Sequence, residues 1–90
     1  MEKKDLISLR EQINNLPPEI AENQKTNKNI VSKLQLDVGI KAIEDKTINK
    51  LDELLLHKVC YFDPGYFCEY TPEQLQEEIL KELDRLIEEK

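Results

Sequence analysis

His57, Cys60 and Cys68 carry the most reactive side-chain chemistry in the chain, within twelve residues of one another. Together they supply three zinc-type ligands, and Asp63 or Glu69 would supply a fourth. A metal there would tie the end of a helix to the turn that follows it. The spacing H-x2-C-x7-C lacks the paired knuckles of structural zinc sites, so packing of both thiols as small apolar side chains is the expected role. His57 also lies one helical turn before Cys60, the spacing of a Cys–His nucleophile pair. No family signature surrounds it, so the expectation is a packed thiol beside a helix-surface histidine.

The remaining inventory argues against catalysis. Gly39 and Gly65 are the only glycines and stand far apart, so no loop can cradle a phosphate or a dinucleotide. Ser8 and Ser32 are the only serines, and neither has the surroundings of a nucleophile elbow. The chain is therefore expected to be non-enzymatic and to need no cofactor.

The aromatic residues are confined to one place. Tyr61, Phe62, Tyr66, Phe67 and Tyr70 are all five aromatics, and they fall within ten residues. Some must plug a core, because a small domain gains most from large side chains. Two adjacent pairs on so short a connection cannot all point inward, so Tyr61, Tyr66 or Tyr70 is expected to face solvent. Exposed tyrosine is typical of binding hot spots.

Charge is segregated as well. Met1 to Phe62 holds ten acids and ten bases, whereas Asp63 to Lys90 holds nine acids against Lys81, Arg85 and Lys90. The whole net charge of −6 therefore belongs to the last segment. Its acids, Glu73, Glu77, Glu78, Glu82, Asp84, Glu88 and Glu89, form either a solvated helix face or a patch that meets a basic partner. An imitation of nucleic-acid phosphates is the sharper version, which Lys81 and Arg85 interrupt. Direct nucleic-acid binding is not expected, since Lys25, Lys28 and Lys33 are the only basic group to neutralise phosphates. In surface character the last thirty residues resemble the immunity proteins that block bacterial nuclease toxins, with no shared motif and no residue carried across.

The elements that position these residues read as helices. Leu6, Leu9, Ile13 and Leu16 form one helical stripe from Lys3 to Leu16, which Pro17 and Pro18 end. Pro18 can open the next helix, with Ile20 one heptad on from Ile13. Residues 22–33 are ambiguous between a loop and a helix whose seam carries Asn23 and Asn27. Leu34 to Ile40 alternates with period two, a strand signal. Against it, Leu36, Ile40, Ile43, Leu51, Leu54, Leu55 and Val59 share one face at 100° per residue, so Ile40 to Val59 reads as one helix. Leu34, Val38 and Leu56 drift off that face, and Gly39 is a candidate joint. Asp63-Pro64-Gly65-Tyr66 has the pattern of a type II turn, and its flanks allow a minimal hairpin over 59–68. Thr71-Pro72-Glu73-Gln74 opens the last helix with a capping box. That helix presents Leu75, Ile79, Leu83, Leu86 and Ile87 as its apolar face.

These readings imply a single all-α domain over residues 1–90, a bundle of three to four antiparallel helices. The alternative is α+β, with a short strand at 34–40. At 10.6 kDa the core is small, about 60% of the unfolded surface being buried at such a length. The apolar stripes exceed what a monomer of 90 residues readily covers, so self-association is expected. The longest aliphatic run, Leu54-Leu55-Leu56, is far too short to span a membrane. No apolar export segment follows Met1, which favours the cytoplasm and reduced thiols. Abundant Lys, Asn, Ile and Glu suit an AT-rich bacterial or phage genome. The expected function is a protein-binding module (regulator, adaptor or inhibitor) using Tyr61, Tyr66, Phe67, Tyr70, Glu73, Glu77 and Glu78. The alternatives are an acidic inhibitor of a nucleic-acid-binding protein and a zinc-stabilised module held at His57, Cys60 and Cys68.

Overall fold

The computed structural model describes residues 1–18 and 24–90, and the chain forms an all-α bundle. Helix α1 spans Lys3–Asn14, α2 Gln24–Glu44, α3 Asn49–Tyr61 and α4 Pro72–Glu89, with a 3-10 turn at Lys46–Ile48 before α3. No strand occurs among the described residues. The period-two alternation of 34–40 lies inside α2, and the 59–68 flanks are the end of α3 and an irregular connection. Four residues before the turn and three after it are too few to stabilise an isolated hairpin.

α1 forms on the stripe expected of it, burying Leu6, Leu9 and Ile13. Its chain turns out at Leu16, and Gln76 of α4 donates from Nε2 to the carbonyl of Ile13 and, at 3.1 Å, to that of Leu16. One buried amide thereby caps a helix end whose carbonyls lack intrahelical donors. α4 starts on the full capping box: Gln74 N–H donates to Thr71 Oγ1 at 3.2 Å, and Thr71 N–H donates to Gln74 Oε1 at 3.1 Å. It buries Leu75, Ile79, Leu83 and Leu86, with Ile87 partly buried at the edge.

The middle of the chain departs from the single helix over Ile40 to Val59. The helix stops at Glu44, because Asp45 adopts an extended conformation (φ −126°, ψ 98°). Its carboxylate accepts from Thr47 N–H at 3.1 Å and Thr47 Oγ1 at 2.7 Å, and Lys90 Nζ donates to it at 3.0 Å. Short acidic side chains favour such local bonds over continued helix. The joint is therefore at Asp45, not Gly39. Gly39 lies within α2, where a Cβ would come 3.1 Å from Asp52 Oδ1 of α3, so its bare backbone lets the two helices approach.

Breaking the helix changes which face is inside. α3 buries Leu51, Leu54 and Leu55 as expected, but α2 buries Asn27, Val31, Leu34, Val38 and Ala42. Leu36, Ile40 and Ile43, expected in the core, are 62%, 52% and 85% exposed. Residues 27, 31, 34, 38 and 42 are themselves spaced as a helical stripe, so α2 carries two apolar faces. Asn27 is the polar member of the buried face, while Asn23 and Ile20 lie outside the described residues.

α1 packs chiefly on α4, α2 on α3, and α3 on α4 joins the two pairs. Polar contacts set each pair antiparallel. Arg10 Nε donates to Asp84 Oδ1 at 2.6 Å between α1 and α4. Gln35 Nε2 donates to Asp52 Oδ1 at 2.7 Å between α2 and α3, and Lys28 pairs with Asp63 just beyond α3. Glu82, only 4% exposed, is held by Arg85 on its own helix and faces Lys50 of α3 at 4.0 Å.

Candidate protein-binding surface

The end of α3 and its connection to α4 hold every Tyr and Phe of the protein, and the backbone there is anchored at several points. Asp63 N–H donates to Cys60 O at 2.9 Å, and Tyr66 N–H donates to Asp63 O at 3.2 Å. The second bond closes the expected turn, with Pro64 and Gly65 at its centre. Gly65 has φ +83°, the left-handed region where a side chain is strained. α2 pins this turn from the side, since Gln24 Nε2 donates to Phe62 O at 2.5 Å and Lys28 pairs with Asp63.

Two aromatics serve the core. Phe62 is 2% exposed, and Tyr61 packs half-buried against the core with its ring edge-on to Phe62 at 5.8 Å. Tyr61 is therefore not part of the outward face. Beneath both rings lies Lys58, with no exposed surface. Its Nζ donates to Pro18 O at 3.0 Å and sits 5.6 Å from the Tyr61 ring centre and 5.7 Å from that of Phe62. Burial pushes the ammonium down to about 8, against the opposing pull of Glu73. Sequence reasoning missed this residue, although its position was a usable signal: Lys58 is four residues after Leu54 and seven after Leu51, on the buried stripe of α3.

Tyr66, Phe67 and Tyr70 leave the core. Tyr66 is half-buried, with its hydroxyl 2.5 Å from His57 Nδ1. Desolvation raises its pKa, and the nearby thiols of Cys68 and Cys60 raise it further. The His57 ring stands 6.3 Å from that of Tyr66 and 6.3 Å, edge-on, from that of Tyr70. His57 is thus a peg on α3 to which both tyrosines are fastened. Phe67, between these anchored residues in the chain, projects outward and is 84% exposed. Tyr70 is 38% exposed and borders a shallow hollow of about 430 Å³ lined by Glu69, Tyr70, Gln74, Glu77 and Glu78.

His57, Cys60 and Cys68 converge on Tyr66 without forming a ligand set. Among the described residues no group of three His, Cys, Asp or Glu side chains is placed to hold a metal. Nδ1 of His57 is already engaged by the Tyr66 hydroxyl.

The acids of α4 divide into two groups. Lys81 pairs with Glu77 and Glu78 at 3.7 Å, Arg10 with Asp84, and Arg85 with Glu82 and Glu89. These pairs compensate most of the helix within the molecule, and the carboxylates beside Arg85 hold its guanidinium even more firmly protonated than usual. Glu73 and Glu69 are exposed at the aromatic end, which puts outward negative charge beside Phe67 and Tyr70.

No protein family, no curated protein and no solved structure matches this chain.

Proposed function

We propose that the chain is a non-catalytic protein-binding module. Phe67 and Tyr70 are its apolar contacts, and Glu69 and Glu73 are its acidic surround, with Glu77 and Glu78, which share Lys81, at its margin. The observation that carries this reading is Phe67, 84% exposed between Tyr66, whose hydroxyl meets His57, and Tyr70, whose ring lies edge-on to that of His57. A large aromatic in water is ordinarily drawn into any available core. Here Tyr66 is held by His57 through its hydroxyl and Tyr70 packs edge-on against the same ring, which leaves Phe67 between them facing out. A rigidly presented ring loses little conformational freedom on binding, which is what makes such residues effective anchors.

The fitting partner is a protein with an apolar cavity for one phenyl ring and basic side chains around it. The acids would speed the encounter and orient it, while the rings would supply most of the affinity. Regulation, adaptation and inhibition are all served by such a surface. Internal pairing of Glu77, Glu78, Glu82, Asp84 and Glu89 favours a local acidic collar around Glu69 and Glu73 over a phosphate-like row along the whole helix.

The test is capture from a lysate of the native host by the immobilised chain, with captured proteins identified by mass spectrometry. Phe67→Ala and Tyr70→Ala are each expected to weaken capture by roughly 30-fold, the loss of about 2 kcal/mol typical of a hot-spot residue. Helical circular dichroism should stay unchanged, since neither side chain is buried. Capture that survives both substitutions overturns the assignment.

A further inference from the structure

α2 is apolar on two opposite faces, and the bundle covers one of them. Leu34, Val38 and Ala42 are buried against the core, while Leu36, Ile40 and Ile43 project outward with spacings of four and three. That spacing is the seam pattern of a helix that pairs with another helix. Leu56 of α3 is 50% exposed. The Gln35–Asp52 hydrogen bond sets α3 antiparallel to α2, so Leu56, one turn beyond Asp52, extends the strip sideways. We propose that the chain forms a two-fold dimer through this face, α2 lying antiparallel against α2 of a second copy.

Area and charge both point to a second copy as the occupant. At their exposures these four side chains present on the order of 400 Å² of apolar surface, about half of the ~800 Å² per partner in a standard interface. Flanking polar side chains on a helix of 21 residues readily supply the remainder. The largest apolar patch on a monomer is often a binding site, and this one is of that size.

The flank of the strip is self-complementary. Lys33, Asp37, Lys41 and Glu44 alternate in sign along one edge of α2, and all four are exposed. In an antiparallel pair centred between residues 38 and 39, Lys33 comes opposite Glu44 of the second copy, and Asp37 comes opposite its Lys41. The same register sets Ile40 beside Leu36 and Ile40 of the second copy. In a parallel two-fold pairing this edge would lie on opposite sides of the seam in the two copies, and these charges would not meet.

This contact is separate from the aromatic surface. Phe62 and Asp63 are held at the N-terminal end of α2 by Gln24 and Lys28. Ile40 lies about 18 Å beyond Lys28 and about 24 Å beyond Gln24 along the helix at 1.5 Å per residue. An antiparallel dimer would therefore carry two copies of the Phe67 surface at opposite ends, free to bind.

Sedimentation equilibrium on the full chain tests the proposal. At about 100 µM, where a micromolar dimer is nearly fully associated, the expected mass is twice 10.6 kDa. The double variant Ile40→Glu, Ile43→Glu should weaken association by roughly 100-fold or more with helical content unchanged, both positions being exposed. Asp37→Lys alone should weaken the dimer, and Asp37→Lys combined with Lys41→Asp should restore it. A wild-type mass of one chain overturns the proposal, whether or not another protein uses the face. A dimer indifferent to the isoleucine changes overturns it also, and failure of the charge swap to restore association overturns the antiparallel register.

Discussion

Lys58 is a cation enclosed by two rings and one carbonyl, and its cost to the fold depends on pH. Below about pH 8 it is charged in the folded and the unfolded chain, so the penalty of burying the charge is fully present. As pH rises from about 8 towards the ordinary lysine value of 10.5, the folded chain has released its proton while the unfolded chain still holds one. Where the unfolded state binds more protons, stability rises with pH. Lys58→Met, of similar shape without the charge, should therefore stabilise the protein at pH 7 by about 1–3 kcal/mol in urea denaturation. The difference from wild type should shrink between pH 8 and 10.5. A gap constant across that window would show that charge burial is not its cause. At the same scale, His57 could be noticed in the sequence as a reactive side chain, but its role as a peg for Tyr66 and Tyr70 could not. That role depends on a loop folding back across one helical turn.

Helix ends were the most legible elements, because their chemistry is local. Thr71, Pro72 and Gln74 are within four residues of one another, and the capping box forms as their order implies. Thr71→Ala should cost about 1 kcal/mol, read as a lower urea midpoint with an unchanged slope. The Asp63–Tyr66 turn was legible for the same reason, with Gly65 the one residue free to take its positive φ. The α2–α3 joint was not. Asp45-Lys46-Thr47 contains neither glycine nor proline, and the apolar spacing of Leu36, Ile40 and Ile43 runs on in phase with Leu51, Leu54 and Leu55 across it. Once Asp45 bonds Thr47 and Lys90, the two helices rotate independently, and the continuous stripe splits into an exposed half and a buried half.

Across the whole molecule, the bundle closes by pairs, α1 with α4 and α2 with α3, and among the described residues Leu36, Ile40 and Ile43 on the outer face of α2 stay exposed. If that face is covered by a second copy, folding and association are linked, and stability must depend on concentration. The melting temperature should then rise with protein concentration for the wild type and stay constant for the Ile40→Glu, Ile43→Glu variant. A wild-type melting temperature independent of concentration would count against the dimer. A dimer also bears on binding, because two Phe67 surfaces on one particle gain avidity for a partner that is itself repeated.

The all-helical class, the ends of α1 and α4, the tight turn and the placement of aromatics and acids at one end followed from the sequence alone. Each rests on interactions among residues a few positions apart, where spacing and side-chain type decide the outcome. Tertiary structure decided which of the two apolar faces of α2 is buried, that Lys58 and Glu82 are inside, and that Phe67 rather than Tyr61 or Tyr66 stands in the open. Those choices turn on how independent helices rotate against a shared core. Rotation is set by the fit of all four helices together, and the local pattern of any one of them allows more than one answer.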